Sequence, residues 1–69
     1  MTTEEARCMA EVAVDGCSVC ARNHIRRLVL AFPAHQQAIL DVWLAGLDAG
    51  EREYESAEML ADIAEEKGR

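Results

Sequence analysis

Sixty-nine residues with a net charge of −6 and a hydrophobic fraction of 51% describe one small folded domain, residues 1–69, rather than a disordered chain. The acidic total excludes a protein that coats nucleic acid with its whole surface, and no apolar run approaches the ~20 residues of a membrane helix. A chain this short buries a small core, so a metal, a disulfide or an oligomeric partner is expected to add stability.

The charge is unevenly spread. Residues 1–15 sum to −3, residues 16–40 to +3 through Arg22, Arg26 and Arg27, and residues 41–69 to −6. The three arginines form a local patch for an anionic partner, and nucleic acid is conceivable only there. The start, Met1 to Glu5, is polar and acidic, unlike a secretory leader. Three cysteines fit a secreted disulfide framework poorly. The expected compartment is the cytoplasm, where clustered cysteines point to metal or redox chemistry.

In chain order, residues 3–14 are predicted as a first helix. Thr2-Thr3-Glu4-Glu5 has the form of a capping box, and Cys8, Met9, Val12 and Ala13 recur at helical spacing as the expected core stripe. Asp15-Gly16 is a turn signal. A second helix is expected from about Ser18 to Ala31. Ala21, Ile25, Leu28, Val29 and Phe32 make its core stripe, and Cys20, His24, Arg27 and Ala31 a neighbouring stripe about a quarter turn away. Arg22 and Arg26 are expected in solvent, with an acidic helix of the same chain as an alternative partner. Pro33 breaks the helix or opens the next one.

A third helix is expected from Ala34 to Ala49, with Ile39, Leu40, Trp43, Leu44 and Leu47 on one side and Gly50 as its stop. His35 is read as a solvated residue. A fourth helix follows from about Arg52 to Lys67. Ala57, Leu60, Ala61 and Ala64 make its first apolar face, and Met59 and Ile63 a second that could meet another chain. The predicted fold is all-α: about four short helices, the first two forming a hairpin around Asp15-Gly16.

The chemistry concentrates in Cys17-Ser18-Val19-Cys20-Ala21-Arg22-Asn23-His24. With Cys8 it offers the four donors of a Cys₃His zinc site, spaced C-x8-C-x2-C-x3-H. Cys20 and His24 are i and i+4 on one helix. Cys17 precedes that helix, and the hairpin would bring Cys8 back opposite residue 23 or 24. Were Cys17 itself helical, it would stand about 10 Å along the axis from His24, so the site requires Cys17 outside the helix. Such a site would also stabilise the fold.

The same residues can act as a dithiol. Cys17-x2-Cys20 at a helix N-terminus favours thiolate through the dipole and Arg22, and His24, one turn on, can carry a proton. Here residues 5–32 resemble the alkylhydroperoxidase D-like, or carboxymuconolactone decarboxylase-type, all-α family, whose members carry Cys-x2-Cys-x3-His at a helix start and a glutamate about a dozen residues upstream. The resemblance implies Cys20 as the peroxide-attacking thiol, Cys17 as its disulfide partner, and His24 with Glu5 as a proton relay.

Three readings therefore stand. The first is a cytoplasmic helical interaction or regulatory module, stapled by zinc on Cys8, Cys17, Cys20 and His24, that binds a protein partner or itself. The second is a thiol-disulfide or peroxide-handling redox protein that uses Cys17, Cys20, His24 and Glu5. The third is a metal-free interaction module with inert thiols.

Overall fold

A computed structural model describes residues 1–68. Among these the chain forms four α-helices and no strand: α1 Thr3–Ala13, α2 Ser18–Ala31, α3 Gln36–Ala45 and α4 Ala49–Lys67, with a 3₁₀ turn at Pro33–His35 before α3. The expected all-α bundle is the observed one. Its radius of gyration of 11.2 Å matches the roughly 11 Å of a packed chain of this length.

Local chemistry sets the helix starts. The Thr2 hydroxyl accepts the Glu5 amide at 3.1 Å, and the Glu5 carboxylate accepts the Thr2 amide at 3.0 Å, which completes the predicted capping box. These bonds hold the Glu5 carboxyl below its ordinary range. Cys17 is the N-cap of α2: its backbone is extended and its sulfur accepts the Cys20 amide. Proline cannot donate an amide, so α2 ends at Pro33, and the chain turns by 114° into the next helical segment.

The α3–α4 junction differs from the sequence expectation. The third helix stops at Gly46 rather than Gly50, and Asp48 is the N-cap of a fourth helix that begins at Ala49. Asp48 takes the extended N-cap backbone without a side-chain capping bond, and Leu47, half-buried against the core, holds the connection close. Arg52 donates to the carbonyl oxygens of Leu44 and Leu47, each at 3.0 Å. It thereby adds a donor to the Leu44 carbonyl, which also accepts the Leu47 amide, and ties the α3–α4 connection to α4.

The core is Ala6, Ala10, Ile25, Val29, Ile39, Leu40, Trp43, Met59 and Ile63. Helix α2 buries the stripe its spacing predicts, with Ala21, Ile25 and Val29 inside and Leu28 and Phe32 half-buried. Two other faces are corrected. In α1 the buried residues are Ala6 and Ala10, while Cys8, Met9 and Val12 are exposed. Alanines let two backbones approach closely, and the larger interface of α1 is with α3 rather than α2. In α4 the buried pair is Met59 and Ile63, and Ala57, Leu60, Ala61 and Ala64 face outward.

Arg22 and Arg26 are not simply solvated. Arg22 meets Glu55 and Glu58 at 3.7 Å and Asp62 at 3.3 Å, and Arg26 meets Glu66 at 3.3 Å. The acids at 55, 58, 62 and 66 lie along one stripe of α4, as Arg22 and Arg26 lie along one stripe of α2. The acidic-helix alternative is the observed arrangement, and it orients α4 on α2. The side chains remain about a third exposed, so each pair contributes little in solvent.

Gly16 adopts φ 140° in the turn before the cysteines. That region is costly for any residue with a Cβ. Open space surrounds the position, so the cost of Gly16→Ala is backbone strain alone. The expected loss is roughly 1–3 kcal/mol, read as a lower urea midpoint. An unchanged midpoint would show that the turn relaxes freely.

Candidate functional site

Helix α2 begins immediately after Cys17, whose extended backbone (φ −72°, ψ 155°) lets its side chain fold back over the first turn. The sulfur accepts the Cys20 amide at 3.2 Å. Cys20, three residues on, stands on the same turn, and the two sulfurs lie 2.7 Å apart in a thiol–thiol hydrogen bond. Both thiols are reduced and exposed. Closure of the pair to the ~2.05 Å of a disulfide therefore needs only a short movement.

The two thiols are electrostatically unequal. Hydrogen bonds from the Cys20 thiol and then the Cys20 amide pull the Cys17 thiol below its ordinary value, and the Val19 amide acts in the same sense. Cys20 moves upward, because its proton is held by the Cys17 sulfur and a negative charge on that sulfur opposes a second. Cys17 is thus the more readily ionised of the two thiols. The guanidinium of Arg22 contributes to neither shift, since it is turned towards the acids of α4. That corrects the expectation that Arg22 activates the pair.

This inequality has a consequence for pH. A thiol whose folded-state value is depressed stabilises the fold above its unfolded value, and loses that contribution as pH falls through the folded one. Cys17 ionisation is therefore expected to strengthen the cap of α2 as pH rises towards 9, and iodoacetamide should label Cys17 before Cys20 across that interval. Equal labelling rates would contradict the inequality.

The other predicted donors lie elsewhere. Cys8, Met9, Val12 and Ala13 of α1 line one wall of an open groove of about 640 Å³, and His24, Arg27, Leu28 and Ala31 of α2 line the other. Cys8 and His24 thus share a groove, as the hairpin argument expects, but neither Cys17 nor Cys20 lines it. Among the described residues no group of three or more His, Cys, Asp or Glu side chains is placed to hold a metal ion. The four proposed zinc ligands form two pairs. Cys17 lies outside the helix as zinc requires.

Glu5 is taken up by the capping box. The other charges acting on it are the N-terminus and His35, at the opposite end of α1 from the Asp15-Gly16 turn. His35 is half-buried, and its Nε2 lies 3.1 Å from the Met1 carbonyl oxygen, which can accept its proton. Glu5 thus has a structural task separate from the dithiol. Of the arginine patch, Arg22 and Arg26 are paired with α4, and Arg27 lies on the groove.

A second cleft, of about 420 Å³, abuts the cysteine loop. Gly16, Ser18 and Val19 meet Trp43, Leu47 and Glu55 there. Sequence spacing did not single it out, because its walls come from α2, α3 and α4 together. The acidic helix was an expected alternative partner for the arginines, and the structure identifies its residues as Glu55, Glu58, Asp62 and Glu66. No single described helix is long and apolar enough to cross a membrane. No family model matches this chain, and no curated protein or solved structure matches it.

Proposed function

We propose that this protein performs thiol–disulfide exchange through Cys17 and Cys20. The observation that supports this most directly is the 2.7 Å approach of two exposed thiols at the start of α2. Cys17 is the attacking sulfur. Its thiolate adds to one sulfur of a substrate disulfide, and the other sulfur leaves as a thiolate that takes up a proton. Cys20 then gives up its proton and attacks Cys17 Sγ, expelling the second substrate thiol. The balance is one substrate disulfide reduced to two thiols and one Cys17–Cys20 disulfide formed.

The roles are reversed from those implied by the alkylhydroperoxidase D-like resemblance, which makes Cys20 the attacker. The N-cap geometry supports Cys17, because the Cys20 amide donates to its sulfur and the neighbouring Cys20 thiol holds its ionisation below the ordinary value. His24 follows Cys20 by one helical turn, about 6 Å of rise. It stands on the stripe that leads into the groove, and Glu5 is not needed in the scheme.

Glutathione disulfide provides the test. Treatment of the reduced protein is expected to remove two hydrogens and link Cys17 to Cys20 in a peptide map, with full reversal by dithiothreitol. If Cys17 and Cys20 remain reduced while Cys8 alone acquires glutathione, the exchange reading fails. The helical interaction module with inert thiols is then the better account.

A further inference from the structure

We propose that reduced Cys17 and Cys20 form a two-sulfur site for a soft monovalent cation, with copper(I) as the chemical type. The inference shares the two sulfurs with the exchange reading but does not depend on exchange activity.

The donor set carries the argument. Two thiols lie 2.7 Å apart, both open to solvent, and no third or fourth His, Cys, Asp or Glu joins them among the described residues. Zinc in a closed protein site takes four ligands, whereas hard cations take six or more oxygens. Copper(I) is selected by soft thiolate sulfur and is satisfied by two such donors. Both side chains extend from an exposed turn, so the sulfurs can separate to admit an ion between them without disturbing the core.

Charge supports the same ion. Two thiolates around a monovalent cation leave one net negative charge. That charge would stand at the N-terminus of α2, a helix of 14 residues, where the dipole and free amides favour an anion. The Cys20 amide already donates to Cys17 Sγ. Acids, which would oppose the complex, are absent from the first turn of α2, and the nearest arginine on that helix, Arg22, is held by α4.

The test is an anaerobic titration of the reduced full chain with copper(I), followed by competition with excess glutathione. The expected result is one copper retained per chain, lost in both Cys17→Ser and Cys20→Ser and kept in Cys8→Ser and His24→Ala. Zinc(II) in the same competition should be removed. Circular dichroism of each variant separates loss of the site from loss of the fold. Two results overturn the proposal: copper surrendered to glutathione by the folded wild type, or Cys8→Ser or His24→Ala losing copper as completely as Cys17→Ser. The second would place the ion in a four-donor site instead. If copper is retained while glutathione disulfide fails to oxidise the pair, the exchange reading alone falls. If exchange proceeds and copper is not held, the copper proposal alone falls.

Discussion

Cys17→Ser is expected to abolish thiol–disulfide exchange while leaving the helices intact. Serine is a favoured N-cap, and its hydroxyl can accept the Cys20 amide that the Cys17 sulfur accepts now. The change therefore removes the nucleophile and keeps the cap, so activity should fall to the background set by Cys8 and the lone Cys20. Cys17→Ala would confuse the two effects, because loss of an N-cap acceptor costs about 1 kcal/mol.

The companion variant separates the roles of the two sulfurs. Cys20→Ser retains the attacking thiol but lacks the resolving one, so a mixed disulfide should accumulate on Cys17. Mass spectrometry of the trapped species reads this directly. If the adduct forms faster on Cys20 of Cys17→Ser, the order of attack is the one implied by the family resemblance, and the inequality deduced from the N-cap geometry is wrong. Because the two sulfurs share a hydrogen bond, Cys20→Ser should also change the network around Cys17, though the amide at position 20 remains as donor.

Ile25→Ala is expected to cost the fold most of its stability. Ile25 is fully buried at the centre of the core, against α1, α3 and α4 residues such as Ala10, Ile39 and Met59. Truncation of a buried isoleucine costs roughly 2–5 kcal/mol. A domain of 69 residues has only about 3–10 kcal/mol in total at typical values per residue. Urea denaturation followed by circular dichroism should show a much lower midpoint or no cooperative transition.

The outward face of α4 supplies the control. Leu60 is 44% exposed and Met59 is buried, so Leu60→Ser should change the unfolding free energy by no more than about 0.5 kcal/mol, as surface substitutions usually do. Met59→Ala should behave like Ile25→Ala. A Leu60 substitution as damaging as the Met59 one would mean that α4 packs by the face its periodicity first suggests.

Sequence determined that there are four helices and where α1 and α2 begin, because these starts depend on near neighbours. The Thr2–Glu5 capping box, the Asp15-Gly16 turn, the start of α2 after Cys17 and the break at Pro33 all follow from groups within four residues of one another. The pairing of Cys17 with Cys20 is equally local: an N-cap sulfur and a thiol three residues on must share the first turn.

Tertiary structure decided which faces are buried and which donors meet. α1 and α4 each carry two apolar stripes, and periodicity cannot rank them when alanine fills one. Close approach to α3 selected Ala6 and Ala10 in α1. In α4 the burial of Met59 and Ile63 accompanies the alignment of Glu55, Glu58, Asp62 and Glu66 with Arg22 and Arg26. The same packing turns Cys8 and His24 into the α1–α2 groove and leaves Cys17 and Cys20 exposed at the N-terminus of α2. Spacing alone allows four ligands on one hairpin. In the fold Cys8 and His24 line the α1–α2 groove, while Cys17 and Cys20 meet at the start of α2.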